Sequence, residues 1–396
     1  SYDNREAGGP GSFMLPVESL QRAGKYFFNE TDIRTHLLGD SSSIRYTCSG
    51  LLGLRPTMDA GESVDVLRRE FAHHLVHGAG WWYFDMTGGW FDCPEILAEF
   101  KLQAAIARAA VDWDMRSVAD VACIVSGTAP ARHPLQRMHD VNNYPQLLDL
   151  QCDRATRELY RSGVTMDWLT TEDLDVAAME RYRVLFFFNA TWLSKAQRDV
   201  VESLKTDGRT LIFVGYPGLA ADDRLDPDAA SRLTGITLAL DESRASAEIT
   251  PLTYDDPALR EVLTRLVLGS GAVIGPRLMP NDENAAVLAY WPDGKPAAAV
   301  KREQDYTCYY FPVSPNDPDL FRTMCRDAGC FVYSTNNDVL FANRSLVALH
   351  VVDCVQPITL PEARQVTNLF TGEVISDACT QFMPRGHGAT HLYGLE

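Results

Sequence analysis

The sequence has little positive charge. Its 36 lysines and arginines face 53 aspartates and glutamates, which gives a formal net charge of −17 over 396 residues. Nucleic acids and anionic membranes both bind basic surfaces, so this charge balance argues against both as partners. It also argues against a polyanionic substrate, whereas a neutral ligand is compatible with it.

Long apolar runs are also missing. The runs at Val184 to Phe188 and Thr210 to Val214 have the length of strands, far short of the ~20 residues that cross a membrane. No signal peptide is visible. The sequence starts at Ser1, without a methionine and inside a loop-like segment, so we expect the natural N-terminus to lie further upstream.

Motifs that hold metals or cofactors are absent as well. The nine cysteines are scattered without a CxxC pair, so we expect free thiols and a reducing, cytoplasmic location. A disulfide between Cys325 and Cys330 is the alternative that their spacing leaves open. His73, His74 and His77 lie on one predicted helix, where the four-residue spacing of His73 and His77 allows metal binding, but no HExxH motif accompanies them. We expect solvated or capping roles for these histidines, no metal and no other cofactor.

Residues 1–115 alternate strands and helices. After a loop-like start, the pattern predicts a strand ending at Glu30, a helix over 62–77, an aromatic strand over 81–86 and a helix over 94–114. Parallel strands with helical crossovers and acids at their carboxyl ends are the units of a (β/α)8 barrel. We therefore expect the C-terminal part of such a barrel, about two of its eight units.

Residues 116–335 have a different pattern. Near-continuous apolar strands, such as Tyr182 to Asn189, alternate with helices, which predicts a doubly wound parallel sheet. It resembles the flavodoxin-like sheet of class I glutamine amidotransferases. Their nucleophile occupies a strand-to-helix turn, but Gly215-Tyr216-Pro217-Gly218 has no cysteine or serine, and Gly127 to Pro130 has too few glycines for a phosphate loop. We expect a catalytically silent sheet. In residues 336–396, short, evenly spaced strands predict a small antiparallel β-sandwich.

The stretch from Gly24 to His36 carries the candidate chemistry. Its apolar run predicts a buried strand that ends in Glu30. Tyr26 and Phe28 share a strand face with Glu30, so we expect an aromatic floor of the kind on which sugar rings pack. Arg34 can hold a carboxylate ionised. Hydrolysis of a glycosidic bond generally needs two carboxyl groups, and Glu30 suits one of them. The alternative, a solvated surface acid, is the commoner role for a glutamate at a strand end.

Two stretches together resemble a known family. The run from Gly24-Lys25 through Asn29-Glu30-Thr31-Asp32 to Arg34-Thr35-His36 resembles strand seven of clan A glycoside hydrolases related to the family 42 β-galactosidases, and Gly80 to Phe91 resembles their strand eight. The order of barrel, amidotransferase-like sheet and small β-domain is also that family's architecture. The resemblance implies that Glu30 is the nucleophile of a retaining mechanism. The family's acid/base glutamate lies on strand four, which would precede Ser1, and no residue here matches it.

Further substrate contacts are expected beside Glu30, at Asp32, Arg34, Asp85 and Trp90. Asp85 ends the second strand, and Trp90 follows a Gly-Gly turn that can present its ring to a sugar. The structural alternative is that Asp85 caps a loop and Trp90 covers the barrel edge. Two more candidates sit where the resemblance places the end of strand six, a position that often bears a sugar-site tyrosine: Tyr2 and Arg5.

These observations predict part of a retaining exo-β-glycosidase, β-galactosidase-like, that acts on terminal β-linked sugars of an oligosaccharide or glycoside. In the resembled family the amidotransferase-like sheet mediates trimerisation, so a homo-oligomer is implied. The alternative is a non-catalytic carbohydrate-binding or oligomerisation scaffold.

Overall fold

The structure of the chain, a computed structural model, describes residues 5, 7–38, 57, 59–85, 88–128, 152, 154–220, 224–252 and 256–396. These residues form two compact units. The first unit contains the described residues of Ser1–Ala119, Tyr160–Thr165 and Val332–Glu396, and the second those of Asp120–Leu159 and Met166–Phe331. In these parts of the chain, no helix combines the length and apolar character that crossing a membrane requires.

The strands of the described residues are, in chain order, β1 (Phe28–Thr31), β2 (Gly80–Tyr83), β3 (Val121–Val125), β4 (Met166–Thr170), β5 (Val184–Phe187), β6 (Arg209–Val214), β7 (Leu238–Asp241), β8 (Ala245–Ser246), β9 (Thr250–Pro251), β10 (Val273–Ile274), β11 (Arg277–Pro280), β12 (Ala286–Tyr290), β13 (Pro296–Arg302), β14 (Tyr306–Phe311), β15 (Val339–Ala342), β16 (Leu346–His350), β17 (Ile358–Asn368), β18 (Val374–Phe382) and β19 (Thr390–Leu395). The helices are α1 (Val17–Arg22), α2 (Ala60–Val76), α3 (Pro94–Ala109), α4 (Arg154–Leu159), α5 (Val176–Met179), α6 (Lys195–Ser203), α7 (Pro227–Thr234), α8 (Pro257–Leu263) and α9 (Pro318–Asp327).

In the first unit, β1 and β2 pair in parallel and lie on either side of α2 in the chain. The Asp59 carboxylate caps α2 by accepting the Glu62 N–H at 2.9 Å, and Pro94 begins α3. The helices and strands enclose an apolar core that consists of Ile33, Val66, Leu67, Cys93 and Ile96. The predicted order of strand, helix, strand and helix is confirmed. Closure into a barrel stays a prediction.

The C-terminal strands form a five-stranded antiparallel sheet in the order β15-β16-β19-β17-β18. The predicted β-sandwich is wrong here, because the described residues place helix α2 against this sheet in place of a second sheet. The Asn343 side chain donates to the Val76 carbonyl at 2.8 Å, and the Thr390 hydroxyl donates to the Asp65 carbonyl at 2.6 Å. The predicted segments 1–115 and 336–396 therefore both contribute to the first unit.

The second unit is built on an eight-stranded sheet in the order β4-β3-β5-β6-β14-β13-β12-β9. The first five strands of this order, β4, β3, β5, β6 and β14, run parallel to one another. Strands β13, β12 and β9 continue the sheet with antiparallel pairing. Every residue of β5 and β6 is buried, as expected for strands covered on both faces. The predicted mixed α/β fold with a parallel-dominated sheet is thus confirmed. Ser194 caps α6 by accepting the Gln197 N–H.

Candidate active site

Glu30 lies near the carboxyl end of β1 with an exposed side chain. Burial alternates along the strand: Phe28 and Glu30 are exposed, whereas Asn29 and Thr31 are buried. The predicted buried strand is therefore wrong for one face. Helix α2 covers the side from which Asn29 projects, since the Asn29 amide contacts His74, and the Glu30 side faces solvent in this structure.

Three aromatic rings line the exposed side of the parallel pair that carries Glu30. Tyr26 and Phe28 lie side by side with ring centroids 6.4 Å apart, and Trp82 of β2 stands opposite Glu30 in the register. Gly80 makes room for this surface, since a Cβ there would lie 2.0 Å from the Tyr26 hydroxyl oxygen. The predicted aromatic floor is present, and we call the surface of Tyr26, Phe28, Glu30 and Trp82 the aromatic face.

Asp32 and Arg34 follow Glu30 and are mostly buried. Arg34 Nη2 lies 3.4 Å from Asp32 Oδ2, so the guanidinium that we expected to steady Glu30 contacts Asp32. Asp32 Oδ1 is buried and accepts no hydrogen bond from any described residue. A buried carboxylate oxygen without a donor is costly, so we expect this oxygen to have a partner beyond the described residues. Substrate contact by these two residues stays a prediction.

Asp85 and Trp90 belong to one turn after β2. Asp85 Oδ1 accepts the Gly88 N–H at 2.6 Å, and Oδ2 accepts the Trp90 N–H at 3.1 Å. The Trp90 side chain is only 2% exposed, packs edge-on against Phe84, and its carbonyl accepts a hydrogen bond from the Thr35 hydroxyl. These contacts support the structural role for both residues, and contact with a sugar stays a prediction.

The two remaining candidates lie near the start of the chain. Tyr2 is outside the described residues. Arg5 is buried, and its carbonyl accepts a hydrogen bond from Arg69 Nη2 at 2.7 Å, which places the Arg5 backbone beside α2.

Helix α2 carries a buried polar cluster that the sequence pattern did not reveal: Arg69, Glu70, His73 and His74 are each no more than 1% exposed. The predicted solvated or capping role is therefore wrong for His73 and His74. The physical reason is that α2 packs between the β1–β2 pair and the C-terminal sheet, so both of its sides are covered. The sequence offers one hint, because residues 70–77 include three histidines and no lysine or arginine.

The His73 ring stacks between two phenylalanines, Phe13 at 4.1 Å and Phe341 at 4.2 Å. Burial lowers the pKa of His73 well below its usual value, so the ring is neutral at neutral pH. Within the described residues, no group of histidine, cysteine, aspartate and glutamate side chains is arranged to hold a metal ion.

His74 connects α2 to β1. Its Nε2 lies 2.7 Å from Asn29 Nδ2, and its Nδ1 lies 2.6 Å from the Glu70 carbonyl oxygen. Burial lowers the pKa of His74 to about 4. A neutral imidazole therefore lies directly behind the strand that carries Glu30.

The carboxyl edge of the parallel sheet in the second unit is the place where open α/β sheets usually bind ligands. Here the Asn189 side chain spans the point between β3 and β5 where the strand order reverses, because it both accepts from and donates to the Ser126 backbone. A cavity of about 360 Å³ nearby is lined by Trp192, Arg198 and Arg232, among others, and Asp226 is the one carboxylate among its described lining residues. The Asp226 carboxylate caps α7, so the described lining residues offer no pair of free carboxyl groups.

The eight cysteines of the described residues are free thiols, and Cys325 and Cys330 are among them. The disulfide that their spacing left open is not formed in this structure. Cys48 lies outside the described residues.

No family model matches the sequence, and no curated protein sequence matches it. Solved structures share its fold. A β-galactosidase from Bacillus circulans sp. alkalophilus matches 84% of this chain with a TM-score of 0.57 at 17% identity, and one from Rahnella sp. R3 matches 86% with a TM-score of 0.57 at 14% identity. Alpha-L-fucosidase isoenzyme 2 from Paenibacillus thiaminolyticus matches 96% with a TM-score of 0.57 at 15% identity.

The match covers 52% of each of these β-galactosidase chains and 62% of the fucosidase chain. This chain thus spans about half of the length of the β-galactosidases that it matches. At such low identity the likeness concerns the fold. The predicted resemblance to the family 42 β-galactosidases is confirmed at that level.

Proposed function

We propose that this chain is part of a retaining exo-β-glycosidase, β-galactosidase-like, in which Glu30 is the nucleophile. The single observation that carries the proposal is the exposed Glu30 carboxylate on the aromatic face, at the carboxyl end of a parallel strand pair. Acids at such strand ends are the usual catalytic groups of barrel enzymes, and exposed aromatic rings pack against the CH faces of sugars. The likeness to β-galactosidase structures supports the same conclusion at the level of fold.

The chemistry follows from a carboxylate in this position. Glu30 attacks the anomeric carbon and forms a glycosyl ester, while a second carboxylic acid gives its proton to the departing oxygen. That second residue, now a base, takes a proton from water, which displaces Glu30 and releases the sugar with its original configuration. By the family resemblance this second residue is a glutamate of strand four, which no residue of the given sequence matches.

The residues after the two strands complete the proposed substrate site. We propose that Asp32, one of whose oxygens has no described donor, accepts a hydrogen bond from a sugar hydroxyl, and that Arg34 orients it. Asp85 stabilises the turn after β2 by accepting the Trp90 N–H, and the ring of Trp90 is buried beside this turn. For Tyr2 and Arg5 the proposal rests on the family resemblance. A homo-oligomer, a trimer in that family, is likewise proposed from the resemblance.

The test is the substitution Glu30→Gln in the full-length protein, because glutamine keeps the shape of the side chain and removes the nucleophilic charge. We expect hydrolysis of aryl β-glycosides to fall by about 10⁴-fold or more, as is usual when a covalent nucleophile is removed. Glu95→Gln is the matched control, since Glu95 is an exposed glutamate of the same unit that lies in the first turn of α3. A Glu30→Gln enzyme as active as the control refutes the proposal, whereas a wild type that hydrolyses no glycoside favours the non-catalytic scaffold.

A further inference from the structure

Asn29, the residue directly before the proposed nucleophile, makes a buried hydrogen bond with His74. The contacts of the His74 ring determine which of its nitrogens carries the hydrogen. The Glu70 carbonyl oxygen can only accept, so His74 Nδ1 must carry a hydrogen. Because the ring is neutral, Nε2 holds a lone pair and must accept the bond from Asn29 Nδ2. The chain of donors therefore runs from Asn29 to His74 to the backbone of α2, and it fixes both the ring and the Asn29 amide.

The same turn of α2 also holds β2. The Ala79 N–H donates to the His74 carbonyl at 2.9 Å, and Gly80 then begins β2 opposite Phe28. The imidazole ring of His74 lies 5.8 Å from the ring of Trp81, the register partner of Asn29. His74 thus contacts both strands from the helix side, through its side chain on β1 and through its carbonyl next to β2.

Neighbouring side chains on a strand project to opposite sides, so a fixed Asn29 also fixes the direction of Glu30. A carboxylate about 5 Å from the strand axis moves by about 1 Å when the strand rotates by about 10°. A displacement of about 1 Å in an active site costs on the order of 10²-fold in rate.

We propose that the Asn29–His74 hydrogen bond positions the Glu30 carboxylate, with His74 as the acceptor behind the strand. This inference rests on the proposed function of Glu30. It gives His74 a role other than metal binding or helix capping.

Charged and titratable neighbours on several elements act on His74. Burial opposes its charge most strongly, the Glu70 carboxylate favours the charged form, and Arg5 and His77 disfavour it. Asn29, on the strand packed against His74, is uncharged. The balance keeps His74 a hydrogen-bond acceptor toward Asn29 throughout the neutral pH range.

The experiment compares substitutions in the full-length protein with the aryl β-glycoside that the wild type hydrolyses fastest. Asn29→Leu keeps the approximate volume but cannot donate, and we expect kcat to fall by about 10- to 100-fold with KM changed by less than about threefold. Tyr83→Phe is the matched control: the Tyr83 hydroxyl donates to Gln103 Oε1 at 2.6 Å and joins β2 to α3 by the same kind of bond. We expect this variant to lose stability while keeping kcat.

Two further measurements remove the dependence on a single variant. In the wild type, nitrogen NMR should show His74 neutral at pH 6 with its proton on Nδ1. In Asn29→Asp a carboxylate faces the Nε2 lone pair, so His74 gains a proton more readily and kcat should recover as the pH falls through its raised pKa.

The outcomes separate this inference from the proposed function. Full activity in Glu30→Gln overturns both. Loss of activity in Glu30→Gln together with wild-type kcat in folded Asn29→Leu overturns the positioning role alone. So does a wild-type His74 that carries its proton on Nε2 or is charged at pH 6. An equal loss of kcat in Tyr83→Phe also overturns it, because the effect then comes from general loosening of the strands.

Discussion

Acidification should destabilise the first unit through its buried histidines. Burial lowers the pKa of His74 from 6.5 to about 4. The unfolded chain, with a histidine pKa of about 6.5, therefore binds more protons than the folded chain between pH 6.5 and 4. Stability is fully present above that window and is lost as the pH falls through it. The gap between the two pKa values corresponds to about 3 kcal/mol, and by pH 4.5 about 2.5 kcal/mol of it is lost.

Other groups contribute in both directions. Burial lowers the pKa of His73 and of His350 well below the usual value, so both add to the loss. Burial raises the pKa of Asp65, and this carboxyl acts in the opposite sense, since its folded form binds a proton more readily. The contribution of His74 is therefore best isolated as a difference between the wild type and His74→Gln.

The assay is urea unfolding of both proteins at several pH values from 7 to 4.5, followed by circular dichroism. We expect His74→Gln to start from a lower free energy of unfolding at pH 7 but to lose about 2.5 kcal/mol less on acidification than the wild type. His387→Gln is the control, because His387 is exposed in the folded chain, and its curve should parallel the wild type. Parallel curves for the wild type and His74→Gln would refute the view that His74 is buried in its neutral form.

Two other substitutions test the packing of each unit. Gly11→Ala should cost about 2–3 kcal/mol of unfolding free energy, because Gly11 has φ +58° and an added Cβ would lie 2.0 Å from Glu70 Oε1. The control Gly24→Ala, with φ +67° and open space at the Cβ, should cost clearly less in the same urea titration. Equal costs would contradict the close approach of Gly11 to Glu70. In the second unit, Arg277→Met should cost about 3 kcal/mol, because the buried guanidinium donates to Asp241 and Asp293 at 2.6 and 2.7 Å. Lys195→Met, which removes an exposed ion pair of the same unit, should leave the urea midpoint nearly unchanged. A tolerated Arg277→Met would show that the two carboxylates find other partners.

Much of the local structure could be predicted from the sequence, because the signals are local. The apolar runs predict the parallel strands of the second unit, and the residues around Glu30 predict a strand end with aromatic rings beside a carboxylate. These features depend on periodicity over a few residues. The likeness to the β-galactosidase fold was predicted in the same way, from short motifs and the order of the segments.

The rest depends on contacts between distant residues. Asn343 donates to Val76 across 267 positions of sequence, and no local pattern indicates that the C-terminal sheet covers α2. The burial of His73 and His74 follows from that cover. In the same way, a sequence cannot show that Arg34 contacts Asp32 or that the Trp90 ring turns inward, since both depend on side-chain packing around the turn.

The central claim, that Glu30 is the nucleophile, is tested most directly by trapping the covalent intermediate. A 2-deoxy-2-fluoro-glycoside with a good leaving group slows the release of the sugar from a retaining enzyme, so the glycosyl ester accumulates. Mass spectrometry of the proteolysed full-length protein should find the sugar on the peptide that contains Glu30, bound to that side chain. A label on another carboxylate, or no label under conditions where the protein hydrolyses the parent glycoside, would contradict the claim.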